Sequence, residues 1–350
     1  MDYTISVLSR IFDQVEIISP ATVMRGEKGA KGGCFRINGK VSLRFFPSIG
    51  NRNRICGRIN YILAKLKLFL YLLNNTSAGE PILVYHSLAI TKELRLAKRI
   101  KKFKLILELN EIYSDVTSKM ATRRKKEMNI IEAADAFLFP NEQMSGIFNS
   151  KGLPYAVEYG IYNPEKVISK KFDDGKIHVV YAGTFDPAKG GAAAAAAAAA
   201  FLPENYHIHI LGFGSQDQIE NLERAIEYVK KTGKCSISYD GQLDGKKFTH
   251  FLQKCHIGLS TQDPNAKFNA TSFPSKILTY LANGLQVVSI DIPAISDSKL
   301  HNAITFYTEQ SPEKIAEAIL SVNDFTPHCA LLKNLDSGLE KDLRQLFSTL

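Results

Sequence analysis

Short apolar runs alternate with longer amphipathic stretches along nearly the whole chain. In the first half the apolar runs fall at Val15–Ser19, 41–46, 82–85, 105–109 and Ala136–Phe139. Apolar positions recur at helical spacing over 55–73, 91–102 and 123–134, and Ile5, Leu8 and Phe12 give the same spacing at the start. Runs of this length between helical stretches predict βαβ units and parallel sheets. The alternation pauses at Asn163-Pro164, and a charged segment, 165–176, precedes its restart. Strands are then expected at 177–181, 207–211, 237–239, Ile257–Ser260 and Gln286–Ile290, with helices over 248–254, 275–283 and 312–322. Nine alanines, Ala192 to Ala200, predict a further helix on propensity alone, with no amphipathic face.

The expected architecture is α/β, with two Rossmann-like doubly wound domains facing a cleft. The segments are 1–165, a first Rossmann-like domain; 166–325, a second, the pair forming the kind of cleft that takes a nucleotide; and 326–350, a helical tail returning to the first domain. A doubly wound half normally opens on a strand and a glycine-rich loop, whereas this chain opens on a helical pattern. Either the first sheet is one strand short or that strand lies upstream of Met1. Gly26 to Gly33, rich in glycine and lysine, reads as a mobile loop. Tyr159-Gly160 and Asn163 fall at the domain junction, where a glycine would permit hinge motion.

Charge sharpens this division. Residues 1–171 hold 28 Lys and Arg against 15 Asp and Glu, a net of +13; residues 172–350 hold 16 against 20, a net of −4. Only the first half is therefore suited to an anionic surface or acceptor. No zinc-finger spacing or RNP-like strand accompanies the charge, and nucleic acid is not an expected partner. The five cysteines are scattered and odd in number, which argues for reduced thiols in the cytoplasm and against a disulfide framework or a zinc site. No secretory signal pattern is visible, and the longest apolar run, 61–73, is too short to span a bilayer and carries Lys65 and Lys67. Around that run, Ile59, Leu63, Leu66 and Leu70 form a stripe beside Arg58, Lys65 and Lys67. Such a helix suits an anionic membrane face, or equally an ordinary core-packed helix with a solvated basic side.

Four segments carry a resemblance. They are Tyr181-Ala-Gly-Thr-Phe-Asp-Pro-Ala-Lys-Gly190, Leu211-Gly-Phe-Gly-Ser215, Tyr239-Asp-Gly-Gln-Leu243, and the stretch from Phe273-Pro-Ser-Lys276 through Thr279 and Ala282-Asn-Gly284 to Ser289. In order and spacing they resemble the nucleotide-binding domain of retaining GT-B glycosyltransferases, group 1, of the bacterial polysaccharide-assembly type. The resemblance implies transfer of a sugar from a nucleotide diphosphate sugar to a glycan or lipid-linked acceptor, with the nucleotide sugar as donor substrate and no cofactor. It places the donor diphosphate at Gly183, Thr184, Lys189, Ser275 and Lys276, and the nucleoside at Gly212, Gly214, Gly241, Leu243 and Thr279.

The chemistry is consistent with those residue types. A diphosphate must be held and then stabilised as it leaves. Lys189 sits at a glycine-rich helix start, where free N–H groups favour an anion, though a solvated surface lysine would look the same. Ser275 and Lys276 follow Pro274 in a helix first turn and offer a second anion site, or simple capping beside an exposed lysine. Gly183, Gly212 and Gly214 permit close backbone approach to a ligand, or only tight turns. The chain also departs from the family. Thr184 stands where an arginine is common, and Thr271 and Thr279 stand where two glutamates are usual.

In the first half, His86 ends a strand and suits contact with a sugar hydroxyl or phosphate; the alternative is a structural histidine. Glu108 and Asn110 share a strand face, and Glu111, which begins the next loop, is the candidate acid or base for an acceptor hydroxyl. His86 and Glu111 are thus the catalytic candidates, and no metal is expected. Two rival readings share the fold: a sugar-nucleotide epimerase or hydrolase, and a catalytically silent binding partner of another transferase.

Overall fold

The computed structural model describes residues 2–20, 26–110, 112–113, 120–186 and 191–350. By internal contacts these divide into two compact units. One comprises Met1–Phe139, Ser145–Glu158 and Gly338–Leu350, the other Pro140–Met144 and Tyr159–Ser337.

The first unit opens on α1 (Asp2–Ile11), followed by β1 (Val15–Ser19), β2 (Gly33–Arg36), β3 (Val41–Phe45) and α2 (Arg54–Asn75). Then come β4 (Pro81–Tyr85), α3 (Thr91–Lys101), β5 (Lys104–Glu108), α4 (Met120–Ile131), β6 (Ala136–Phe139), α5 (Gln143–Phe148), whose first two residues count with the second unit, and β7 (Tyr155–Val157). β4 to β7 lie side by side in sequence order, all parallel. Their core is the continuous apolar run expected of strands covered on both faces: Leu105, Ile106, Leu107, Phe137 and Phe139 are buried. β1 and β3 do not join this sheet. They pair in parallel with each other, and β2 adds antiparallel to β3.

The glycine-rich loop expected to be mobile is instead paired in the part that the structure describes. Lys28 bridges Gly50, and Ala30 and Ser48 exchange both backbone hydrogen bonds, at 3.0 and 2.9 Å. Its glycines serve this pairing, because a Cβ on Gly29 would lie 2.4 Å from the Ser48 carbonyl oxygen. The loop then runs straight into β2.

The second unit contains β8 (Ile177–Thr184), α6 (Gly191–Ala198), β9 (Tyr206–Phe213), α7 (Gln216–Thr232), β10 (Ser236–Gly241), α8 (Gly245–Lys254) and β11 (Ile257–Ser260). It continues with α9 (Ser275–Ala282), β12 (Gln286–Ile290), α10 (Pro293–Ser296), β13 (Ile304–Tyr307), α11 (Pro312–Leu320) and α12 (Cys329–Thr349). The six strands form one parallel sheet in the order β10-β9-β8-β11-β12-β13. The chain walks outward from β8 to β10, returns to the other side of β8, and walks outward again. That is a doubly wound sheet with its switch point between β8 and β11. The alanine helix α6 buries Ala192, Ala195, Ala196 and Ala198, and α7 begins with a capping box between Ser215 and Gln218. α12 begins in the second unit and ends in the first. There Arg10 pairs with Glu340 at 2.8 Å and Phe347 packs edge-on against Phe12.

At the switch point, β8 and β11 pair only at Val179–Ile257 and Val180–Gly258, whereas β8 follows β9 as far as Thr184–Phe213. The phenol of Tyr280, wholly buried in α9, fills the opening. Its oxygen accepts from the Ala182 N–H at 2.8 Å and donates to the Leu259 carbonyl at 3.3 Å. The ring lies flat on Gly258, where a Cβ would come within 2.2 Å of it. Tyr280→Phe strands a buried donor and should cost about 1–3 kcal/mol in urea unfolding. Gly258→Ala should cost at least as much, because the ring has no room to retreat. A Tyr280→Phe loss below about 0.3 kcal/mol would show that the phenol bridge does not stabilise the sheet.

Candidate functional site

The carboxyl ends of β8, β9 and β10 and the start of α9 meet around a group of glycines. Gly212, at φ 140°, could carry no side chain: its Cβ would fall 1.7 Å from the Gly183 carbonyl oxygen. The two strand ends therefore run closer than any other residue would allow. Beside them, Tyr181 is buried with its hydroxyl donating to the Thr184 carbonyl at 3.1 Å, and burial pushes its phenol up to about 12. It stays a neutral donor at physiological pH. The Tyr181 ring is wedged beneath Gly191, the first residue of α6, where a Cβ would meet the phenol oxygen at 2.4 Å.

Lys276 completes the group. Its ammonium lies 4.2 Å from the Tyr181 ring centre and 3.2 Å from where a Cβ on Gly183 would sit. The helix that carries it, α9, has Pro274 at its N-cap and no side-chain cap, so its first-turn N–H groups and positive dipole end add to the charge of Lys276. The structure thus brings Gly183, Thr184, Gly212 and Lys276 together, with exposed Ser275 at the helix tip. Gly214 packs against Phe185 and Gln218 of the capping box, a tight-turn role. Gly241, at φ 78°, makes the turn after β10, with half-buried Leu243 two residues on. Their link to the group is Tyr239, whose hydroxyl donates to the Gly212 carbonyl at 3.2 Å and whose ring meets Phe185 edge-on at 5.5 Å.

The two threonines differ. Thr279 donates its hydroxyl back to the Ser275 carbonyl at 3.1 Å, one helical turn away. Thr271 is buried, and its hydroxyl has no hydrogen-bond partner among the described residues. Lys189 and Glu111 lie outside the described residues. Tyr181 and Tyr280 are the residues that pattern reading passed over, since an aromatic in a strand or helix reads as core.

In the first unit, His86 follows β4 and is 2% exposed, with its N–H donating to the Glu108 carbonyl at 2.9 Å and its ring stacked on Tyr113 at 5.0 Å. Glu108 and Glu158 are the acidic pair of this end of the sheet. Asn110 donates to Glu108 at 3.0 Å, and Thr4 donates to both oxygens of Glu158 at 3.1 and 3.2 Å. Burial pushes the Glu108 carboxyl up. Burial and then the nearby Glu108 charge raise Glu158 to about 7. Glu158 was missed because it follows β7, a three-residue strand too short to register as a pattern.

The family model of Glycosyl transferases group 1 matches residues 176–324. No curated protein sequence matches the chain. Similar solved structures include the E. coli trehalose-6-phosphate protein bound with UDP-2-fluoro glucose (TM-score 0.61, 12% identity, covering 95% of this chain and 90% of that one). They also include Anabaena Alr3699/HepE in complex with UDP (0.61, 14%, 89% and 87%). A third is the alpha,alpha-trehalose 6-phosphate synthase of Burkholderia multivorans (0.60, 12%, 95% and 87%). At these identities the likeness is one of fold. Residues 176–324 match the group 1 glycosyltransferase model, and the likeness to the solved structures gives the chain the GT-B fold.

The raised Glu158 carboxyl fixes the sign of a pH effect. An unfolded chain ionises this group above about pH 4.5, whereas the folded chain holds its proton to about 7. The contribution is therefore intact below about 4.5 and is lost as pH rises to about 7. Glu158→Gln, which keeps an acceptor for Thr4, should remove that loss. The variant should gain stability over the parent between pH 4.5 and 8 in urea titrations, and an unchanged difference would contradict the assignment.

Proposed function

We propose that the chain is a retaining glycosyltransferase that moves a sugar from a nucleotide diphosphate sugar to a glycan or lipid-linked acceptor in cell-surface polysaccharide synthesis, at the cytoplasmic face of the membrane. The observation that carries the donor half of this reading is Lys276 lying against Gly183 at the switch point, beside an uncapped helix start. A glycine there leaves backbone and ammonium facing the same space, as a diphosphate requires. As the diphosphate departs, Lys276 and the α9 N–H groups stabilise its growing charge. Lys189, one residue before the Gly190-Gly191 pair that leads into α6, would add a second cation. Phe185 and Tyr239 offer aromatic surface for the base near Gly241 and Leu243. UDP accompanies the E. coli and Anabaena structures, which makes uridine the first base to test.

The acceptor side rests on the first unit. His86 and the Glu108–Glu158 pair gather at the carboxyl ends of β4 and β5 and just after β7, and a carboxyl held near neutrality suits proton exchange with an acceptor hydroxyl. Glu111, three residues beyond Glu108, remains the loop candidate for that role. α2 presents Ile55, Ile59, Ile62, Leu66 and Leu70 to solvent at helical spacing, with Arg54 and Arg58 exposed among them. An apolar stripe flanked by arginines supports peripheral contact with an anionic leaflet. No helix among the described residues is long and apolar enough to cross a membrane.

A catalytically silent partner is the second reading, favoured by Thr279, whose hydroxyl is committed to its own helix. Nucleotide binding separates the two. UDP should raise the thermal midpoint of the parent, and Lys276→Ala should weaken UDP at least tenfold, about 1.4 kcal/mol. No response to UDP, GDP, ADP or CMP would remove the transferase reading. For the membrane contact, the parent should co-sediment with phosphatidylserine vesicles, and Ile59→Asp with Ile62→Asp should abolish this. Equal sedimentation of both proteins would refute the role of the stripe.

A further inference from the structure

The opposite end of the second unit's sheet holds a second cluster of chemistry. His178 lies near the start of β8, six residues before Thr184, so roughly 20 Å of strand separates it from the donor end. His207 and His209 lie at the start of β9 and share a sheet face with His178 and with Ser238 and Asp240 of β10, because the strands pair His178–His207 and Ser238–His209.

Three of these side chains form a line with Asp174, which precedes β8. Asp174 Oδ1 lies 2.8 Å from His178 Nε2, His178 Nδ1 lies 2.8 Å from His209 Nε2, and His209 Nδ1 lies 2.9 Å from Asp240 Oδ2. Ser238 Oγ donates to the same Asp240 oxygen at 2.8 Å and lies 3.3 Å from His209 Nδ1. Three links require three hydrogens, and two neutral imidazoles carry one N–H each while ionised carboxylates carry none. If both N–H groups point to the carboxylates, the nitrogens that face each other across 2.8 Å are bare lone pairs. Either a shared proton or a metal cation must lie between them.

The surroundings select the cation. A carboxylate holding the far nitrogen of a metal-binding histidine fixes its tautomer and raises its basicity, and here both histidines have one. A third imidazole is at hand: one nitrogen of each of His178, His207 and His209 falls within 4.8 Å of the others. His207 places Nε2 against Ser238 Oγ at 2.8 Å. Phe172 stacks on His178 at 4.2 Å and on His209 at 5.3 Å, and Phe251 meets His209 edge-on, so the cluster sits under an apolar cover. We propose that His178, His207 and His209 bind a divalent transition-metal ion of the zinc class, with Asp174 and Asp240 orienting two of the three ligands. Nitrogen donors around zinc stand ~3.3 Å apart, as follows from tetrahedral bonds of ~2.0–2.1 Å, so binding parts His178 Nδ1 from His209 Nε2, now at 2.8 Å, and turns the His207 ring out of its 4.1 Å stack on His209. The ion ties the segment before β8, through Asp174, to β9 and β10. Its place far from the donor end makes it independent of the transferase reading.

The test uses the full chain, stripped with EDTA and desalted, with ZnCl2 and CoCl2 as probes. One equivalent of zinc per chain should survive desalting, and cobalt should develop the visible absorption of a low-coordinate, nitrogen-ligated ion. His207→Asn leaves the four-member line intact and should lower affinity at least tenfold. Asp240→Asn should lower it 10- to 100-fold. His250→Asn, outside the cluster, should bind as the parent does. A parent that retains neither metal would show that a shared proton fills the gap and would overturn the proposal. Parent-like binding by both His207→Asn and Asp240→Asn would overturn it as well.

Discussion

β8 and β11 stop pairing after Val180–Gly258, and one phenol closes the opening between them. Tyr280 takes the hydrogen bond that Ala182 would otherwise make to a neighbouring strand and returns one to Leu259. The corner around Gly183 exists because β8 can run on past its last pairing with β11 to Thr184 without leaving that backbone group unpaired in the interior. α9 is held down by the same ring, which in turn fixes where Lys276 stands. A buried amide without a partner costs about 1–3 kcal/mol, so the geometry of the corner around Gly183, Gly212 and Lys276 and the stability of the sheet rest on the same atom.

Charge is distributed in keeping with this division of labour. The first unit carries the net positive charge, an exposed apolar stripe on α2 and a pair of acidic side chains in a low-polarity setting. The second unit, slightly acidic overall, concentrates its relevant cation and helix dipole at one corner.

The doubly wound second unit was legible in the sequence because its strands are continuous apolar runs; Ile257–Ser260 and Gln286–Ile290 have the bounds that periodicity gives. The first unit was read less completely. β2 contains Cys34, Phe35 and Arg36, all exposed, and a strand without a buried face leaves no alternating signature. β7 is three residues long; in the second unit, β13 is half-buried through most of its length and is equally unmarked. For the candidate site, the glycine turns and Lys276 announced themselves through local spacing. The roles of Tyr181, Tyr280 and Glu158 depend on neighbours far away in sequence, and no window of sequence contains them. The histidine cluster is a matter of register: His178 and His207 are 29 positions apart and become opposite only when β8 pairs with β9.

The alanine helix α6 poses a problem of phase. Helices usually find their rotation about their own axis because one face is large and apolar and the other is polar, but from Ala192 to Ala198 every face is the same methyl group. Turning such a helix by one residue exchanges one surface for an identical one. Its angular setting must therefore come from its ends, where Gly191 is lodged against Tyr181 and Thr261 and the chain tightens into a 3-10 turn at Ala199–Phe201. The same small residue that admits the Tyr181 ring thus acts as the index mark from which the whole helix is set.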